Sequence, residues 1–270
     1  MTEYSIGDQK VPSAEEVNLL FDGYDVQMLI GVGSVGAIYY ALKENKAYAI
    51  KLLIFRKEIR TMLEFKSEAE CLAALDHPYI VKTYGYGEVA DYPYIISDYV
   101  ERGTLHHVSQ EFSFDTAAIV RLGVMLCEAV IHLHGKGYIH RDLKPDNIML
   151  NGEWFPILID FGLAINLNNI VHYPKAVGSL GYAAPEIKLN PKTVDYRVDV
   201  YAIGAILYTL AIKEIPGEIV DITKLNGIEP RLRMIIGRAT QQDLEKRTAD
   251  VDGIRDKLVN LRNSLELQKD

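Results

Sequence analysis

The stretch His140-Arg141-Asp142-Leu143-Lys144-Pro145-Asp146-Asn147 puts two carboxylates, three basic side chains and an amide within eight residues. It follows an apolar helical run and precedes the apolar pair Ile148-Met149, so a polar cluster sits between two elements that have reason to be buried. The residue types divide the labour. Asp142 can accept a proton from an attacking hydroxyl, and Lys144, two residues on, can lie beside a transferring anion. Asn147, five residues past Asp142, can offer an amide oxygen to a hard cation such as Mg2+. The bland alternative is a charged loop after a helix, and the rest of the chain weighs against it.

The elements that must position these groups can be read from periodicity. Residues 24–30 and 37–42 are strand-like runs joined by Gly31-Val32-Gly33-Ser34-Val35-Gly36, and a turn at Glu44-Asn45 leads to a third strand over 47–54. Because Ala37-Ile38-Tyr39-Tyr40 continues as a strand, the glycines join a hairpin and do not open a helix as in a dinucleotide-binding fold. Glycines there let backbone N–H groups approach phosphate oxygens without Cβ clashes. Lys51 ends Ala49-Ile50-Lys51, where an ordinary surface lysine is the competing reading. Residues 60–75 predict an amphipathic helix with Leu63, Leu72 and Leu75 among its apolar positions. Its Glu64, Glu68 and Glu70 are all candidate partners for a cation. Strands over 79–86 and 93–99 complete the sheet. Thr104 is placed to cap a helix, and a long apolar helix over 116–134 leads into the polar loop.

Taken in order, these motifs resemble the protein kinase catalytic domain over residues 24 to 260, and Lys144 followed by Pro145 resembles its serine/threonine-specific version. The resemblance implies an α+β, two-lobed fold: a small antiparallel sheet with one helix, and a larger, mainly helical lobe. It divides the chain into an extension (1–21), a kinase domain (22–265, with lobes 22–98 and 99–265) and a tail (266–270); within the extension Ser13-Ala14-Glu15-Glu16 fits a capping box, and Val17, Leu19, Leu20 and Phe21 predict a short helix packed on the domain. It implies ATP and Mg2+ as co-substrate and metal, and a protein with a serine or threonine acceptor as partner. Asp142 and Lys144 are then catalytic. Lys51 holds the nucleotide phosphates and is oriented by Glu68, chosen over Glu64 and Glu70 for its distance to Asp76-His77-Pro78. Gly31, Val32, Gly33 and Gly36 form the phosphate flap. Ile38, Ala49 and Met149 belong to the adenine site, and backbone groups of Asp98 and Val100 pair with the adenine edge. Asn147 and Asp160, eighteen residues past Asp142 in Asp160-Phe161-Gly162, hold the metal.

The resemblance also carries structural expectations. Ser97 is a small residue at the gatekeeper position. Phe161, His140, Leu72 and Thr83 form an internal column, with Thr83 a polar departure. Ser179 contacts Asp142 and Lys144, Leu180 lines the pocket for the residue after the acceptor, Glu186 pairs with Arg247, and Asp199 holds the catalytic-loop backbone. Between Phe161 and Pro185 the hydroxyl side chains are Tyr173, Ser179 and Tyr182, with no threonine and no acid. The segment is therefore expected to be ordered without phosphorylation, anchored by Ile165, Leu167, Ile170 and Val171, with Arg141 held by water or backbone carbonyls. The stretch from Asp199 to Arg247 is shorter than in most relatives, which predicts a reduced or missing helix within 215–231.

Composition bounds the alternatives. The 270 residues carry 29 basic and 37 acidic side chains, a net charge of −8, which argues against a general nucleic-acid or acidic-membrane binder. Cys71 and Cys127 sit in apolar helical patterns and read as reduced, buried residues of a cytoplasmic protein. The first residues show no secretory signal, and the apolar run 198–212 is shorter than the ~20 residues of a membrane span, so no membrane segment is expected. Oligomeric state is not readable. The alternative function is a pseudokinase or nucleotide-binding scaffold module, but no required catalytic residue is missing. A small-molecule phosphotransferase is disfavoured by Lys144 and by Ala184-Pro185-Glu186.

Overall fold

A computed structural model of the chain describes residues 5–6, 9–56, 58–168, 178–189 and 194–267. The chain forms two compact units, one of residues 1–76 with 81–99 and one of residues 77–80 with 100–270. Together they give an α+β fold, with an antiparallel sheet in the first unit and mainly helices in the second.

The first unit begins with β1 (Ser5–Ile6) and β2 (Gln9–Lys10), followed by α1 (Ala14–Asn18). α1 starts with a full capping box: Ser13 Oγ accepts from the Glu16 N–H and the Glu16 carboxylate accepts from the Ser13 N–H. Five strands follow, β3 (Asp25–Val32), β4 (Gly36–Lys43), β5 (Lys46–Leu53), β6 (Thr83–Val89) and β7 (Tyr92–Asp98). They form one antiparallel sheet in the order β3-β4-β5-β7-β6. The β4–β5 and β6–β7 hairpins turn on residue pairs with positive φ, Glu44-Asn45 and Ala90-Asp91, the handedness that matches strand twist. The sheet has two apolar faces. Ala37, Tyr39, Ala41, Ile50 and Leu52 are buried on one, while Ile38, Tyr40, Ala49 and Lys51 alternate onto the other. As expected of a short helix packed on the domain, the segment around α1 contributes Val11, Val17 and Phe21 to the core over the first face, where Tyr39 Oη donates to the Pro12 carbonyl at 2.7 Å. α2 (Ile59–Ala73) buries Phe65, Glu68, Ala69 and Leu72; Leu63, expected on its apolar face, is exposed.

The second unit holds α3 (Leu105–Glu111), α4 (Thr116–Gly135), β8 (Tyr138–Ile139), β9 (Ile148–Leu150), β10 (Pro156–Leu158), β11 (Ile165–Asn166), α5 (Pro185–Leu189), α6 (Arg197–Ile212), α7 (Pro230–Ala239) and α8 (Val251–Glu266). Residues 77–80 join it because Ile80 bridges Leu158 and the Tyr79 carbonyl accepts from the Leu158 N–H. Thr104 caps α3, Asp115 caps α4 and Asp250 caps α8. α6 is buried on all sides from Val198 to Thr209, which makes it the axis of this unit. Between α6 and α7 there is one short 3-10 turn, Ile222–Leu225, so the reduced segment expected there is present. Among the described residues α4 alone is long and apolar enough to cross a membrane; 56% of its apolar window is buried inside the protein, as in a core helix.

Candidate active site

In the second unit, β8 delivers the chain into the polar loop and β9 carries it away. Asp199, fully buried at the start of α6, receives the N–H groups of His140 (2.9 Å) and Arg141 (3.0 Å) and so fixes the loop backbone. Arg141 adopts φ +66°, a left-handed conformation that a side-chain-bearing residue seldom takes, and these bonds hold it there. Burial alone would raise the Asp199 carboxyl, but its bonds with the His134 ring (2.8 Å) and the His140 N–H keep it below the ordinary aspartate value. Burial lowers the pKa of His140, against the opposing pull of Asp199, Asp160 and Asp142. Its ring lies 5.0 Å from that of Phe161, which is wholly buried.

The catalytic candidates hold one another. Lys144 Nζ lies 3.0 Å from Asp142 Oδ2 and donates to Ser179 Oγ at 2.8 Å. Ser179 Oγ donates to Asp142 Oδ1 at 2.9 Å. Asn147 Nδ2 donates to the Asp142 carbonyl (2.9 Å) and to Asp142 Oδ2 (3.1 Å), which leaves its amide oxygen as the group that can meet a cation. Asp160 lies just beyond β10, and one of its carboxylate oxygens accepts from the Gly162 N–H at 3.0 Å. Arg141 Nε donates to the Leu163 carbonyl at 2.8 Å, an anchor of the backbone kind expected for it. Tyr182 is buried with its hydroxyl 3.2 Å from Thr209 Oγ1, and Leu180 is exposed. Tyr173 and two of the expected apolar anchors, Ile170 and Val171, lie outside the described residues. Beneath the loop, Arg247 pairs with Glu186 at 2.5 and 3.0 Å.

In the first unit, Lys51 Nζ on β5 meets both Glu68 oxygens on α2, at 2.6 and 2.8 Å. Glu68 is buried, while Glu64 and Glu70 pair along the helix with Arg60 and Lys66 on its solvated face. Gly31, Val32, Gly33 and Gly36 form the β3–β4 hairpin, closed by the Gly33 N–H donating to the Gly36 carbonyl at 2.8 Å. The glycines differ. A Cβ on Gly36 would run into the Leu52 carbonyl, whereas one on Gly33 would meet nothing nearer than 3.8 Å. The protein's own packing demands glycine at Gly36 and leaves room over Gly33. Ile38 and Ala49 share the Lys51 face of the sheet, and Ser97 pairs across strands with Ala49 and Thr83. The Asp98 N–H donates to the Lys82 carbonyl, and the Asp98 carboxylate is held by Lys46 (2.8 Å) and the Tyr84 hydroxyl (2.9 Å). Val100 and Met149 belong to the second unit, with Val100 buried and Met149 bridging to Thr104.

Two positioning contacts escape sequence reasoning: Lys46 and Tyr84 on Asp98, and His134 on Asp199. Lys46 and Tyr84 reach Asp98 through sheet register, and His134 reaches Asp199 across 65 residues through helix packing, so no local spacing announces them.

Strand order, catalytic loop and paired lysine together define a protein kinase fold. A family model for the protein kinase domain matches residues 24–263, and the chain belongs to that family. It is similar to a probable serine/threonine-protein kinase of Clostridium perfringens, 31% identical over 207 residues, covering 73% of this chain and 30% of that protein. A probable serine/threonine-protein kinase of Clostridium acetobutylicum is 29% identical over 269 residues, 91% of this chain and 41% of that protein. Serine/threonine-protein kinase PknB of Mycolicibacterium smegmatis is 32% identical over 210 residues, 73% and 33% respectively. The chain thus spans less than half the length of these curated relatives.

Proposed function

We propose that this chain transfers the γ-phosphoryl group of Mg-ATP to a serine or threonine hydroxyl of a protein substrate. The observation that carries the proposal is the Asp142 carboxylate, held by Asn147, beside Lys144 and Ser179. In this reading Asp142 orients the acceptor hydroxyl and takes its proton, and Lys144 neutralises charge gathering on the transferring group. Lys51, steadied by Glu68, holds the phosphates, with the backbone of Gly31, Val32, Gly33 and Gly36 above them; the open space at Gly33 suits close backbone approach. Ile38, Ala49 and Met149 would contact the adenine, and backbone groups of Asp98 and Val100 its edge. Asn147 and Asp160 supply one amide oxygen and one carboxylate, a hard donor set that suits Mg2+ completed by phosphate oxygens and water. When bound, the metal would supply positive charge that offsets the charge of the phosphates.

Cys71 and Cys127 are unpaired and buried, and burial pushes the Cys71 thiol up to about 12; both fit a reducing, cytoplasmic setting. The test is transfer of labelled phosphate from ATP to a generic protein substrate, with Asp142→Asn as control. Phosphoserine or phosphothreonine formed by the wild type and lost in Asp142→Asn is the expected result. Nucleotide binding with no transfer by the wild type would make the chain a binding module instead.

A further inference from the structure

α7, α8 and the loop between them enclose a groove of about 670 Å³ in the second unit. Its floor is apolar: Ile235 and Leu261 are buried there, and Met234 stands over them 61% exposed. A second depression adjoins it across Met234 and Arg238, lined by Ile222, Ile228 and Arg233. Ile222, at the start of the short 3-10 turn between α6 and α7, forms part of that flank.

The rim is basic on a chain whose net charge is −8. Several neighbouring cations are already matched, with Arg231 on Glu229, Lys246 on Asp243 and Arg255 on Asp252 and Asp256. Arg233, Arg238 and Lys257 have no carboxylate within 4 Å among the described residues. Glu245 also lines the groove, but its carboxylate is 90% exposed and approaches Arg197. On a chain of net charge −8 these three unmatched cations offer an acidic partner a place to pair, so charge favours both the sign of a ligand and its place.

We propose that this groove docks an acidic segment of another protein, with an apolar side chain seated against Met234 and Leu261 and carboxylates reaching Arg238 and Lys257. The inference does not depend on phosphoryl transfer. A contact of this kind gains speed and selectivity from charge and weakens as salt rises.

The probe is a fluorescein-labelled, glutamate-rich peptide with one central leucine, followed by anisotropy with the full chain. Controls replace Glu by Gln, or Leu by Ala. Wild type should bind the parent peptide at least tenfold more tightly than either control, a difference of about 1.4 kcal/mol. Charge reversal in R238E/K257E should cost at least tenfold in affinity while leaving the thermal midpoint unchanged. Both side chains are exposed, and R238A/K257A serves if the reversal disturbs folding. Equal affinity for the Gln peptide, or binding unaffected by both double variants, overturns the proposal. So does tighter binding of a single-stranded oligonucleotide, or a wild-type dimer in sedimentation that R238E/K257E converts to monomer.

Discussion

The two units hold their charged groups in different ways. In the first, one strand lysine and one helix glutamate meet as a pair, and the lysine remains 29% exposed. In the second, Asp142, Lys144, Asn147 and Ser179 each touch at least one other member, and a buried aspartate on α6 holds the loop from below. A pair joined by two separate elements is set by how those elements pack and can be broken by moving either one. A web centred on one loop, joined by Ser179 and pinned to a buried helix, keeps its shape through the loss of a single bond. Under the proposed function, the contrast is that between a group that adapts to a ligand and a group that is ready before the ligand arrives.

The largest effect should come from the buried pair beneath the web. Arg247 is wholly inaccessible and holds Glu186, the Gln241 carbonyl and the Arg197 carbonyl. Arg247→Ala strands the Glu186 carboxylate and should cost about 3–5 kcal/mol of stability. Denaturant unfolding measures this directly. A loss below about 1 kcal/mol would mean that water replaces the guanidinium, so that the second unit is no more tightly built than the first.

Lys51→Met should have the opposite profile. Transfer should fall about a hundredfold or more, equivalent to about 3 kcal/mol of transition-state stabilisation. The loss of thermal midpoint should be smaller than in Arg247→Ala, because Lys51 is part exposed and water can reach its place, although the buried Glu68 carboxylate loses this cation. Near-normal turnover in the purified variant would remove Lys51 from the chemistry and dissolve the contrast.

Much of this was legible, for reasons that differ by region. Within the polar loop, Asp142, Lys144 and Asn147 lie close in sequence, so spacing alone limits where they can point. Glu68 was separable from Glu64 and Glu70 by its distance to Asp76-His77-Pro78, and the structure shows the other two satisfied by i,i+4 partners. The packing of α1 on the sheet is legible in the capping box at Ser13 and in Val17, Leu20 and Phe21, and a second signal lies in β4, where Ala37 to Leu42 is apolar without alternation and so must be covered on both faces. The run over 198–212 was weighed as a membrane span while α4, longer and as apolar, was not; local hydropathy cannot separate a core helix from a span when both are buried.

A third comparison sets two glycines of one hairpin against each other. Gly36→Ala drives a methyl into the Leu52 carbonyl and should cost about 1–3 kcal/mol of stability. Gly33→Ala meets open space, so stability should hold while the Michaelis constant for ATP rises. Loss of stability in both, with no change in nucleotide affinity, would make the hairpin a structural turn and leave the phosphate role to Lys51.

The smallest effect concerns His140, and it follows from sign. Burial lowers its pKa in the folded state, and its Nε2 is buried without a partner among the described residues. An unfolded histidine titrates near 6.5, so below that pH the unfolded chain binds a proton that the folded chain refuses. The stability held by the neutral ring is therefore complete above about pH 6.5 and falls as the solution is acidified. One unit below that point a single histidine can cost at most about 1.4 kcal/mol. His140→Phe keeps an aromatic ring against Phe161 and removes both the titration and the unpartnered nitrogen, so the drop in thermal midpoint between about pH 7.5 and about pH 5.5 should shrink. Asp199 adds a loss of the same direction at lower pH, because its carboxyl is held below the ordinary aspartate value and that stabilisation disappears only when the folded carboxyl is protonated. An unchanged pH slope in His140→Phe would show that the ring is charged in the folded protein, and the web would then rest on an imidazolium among Asp142, Asp160 and Asp199 instead of on a neutral packing residue.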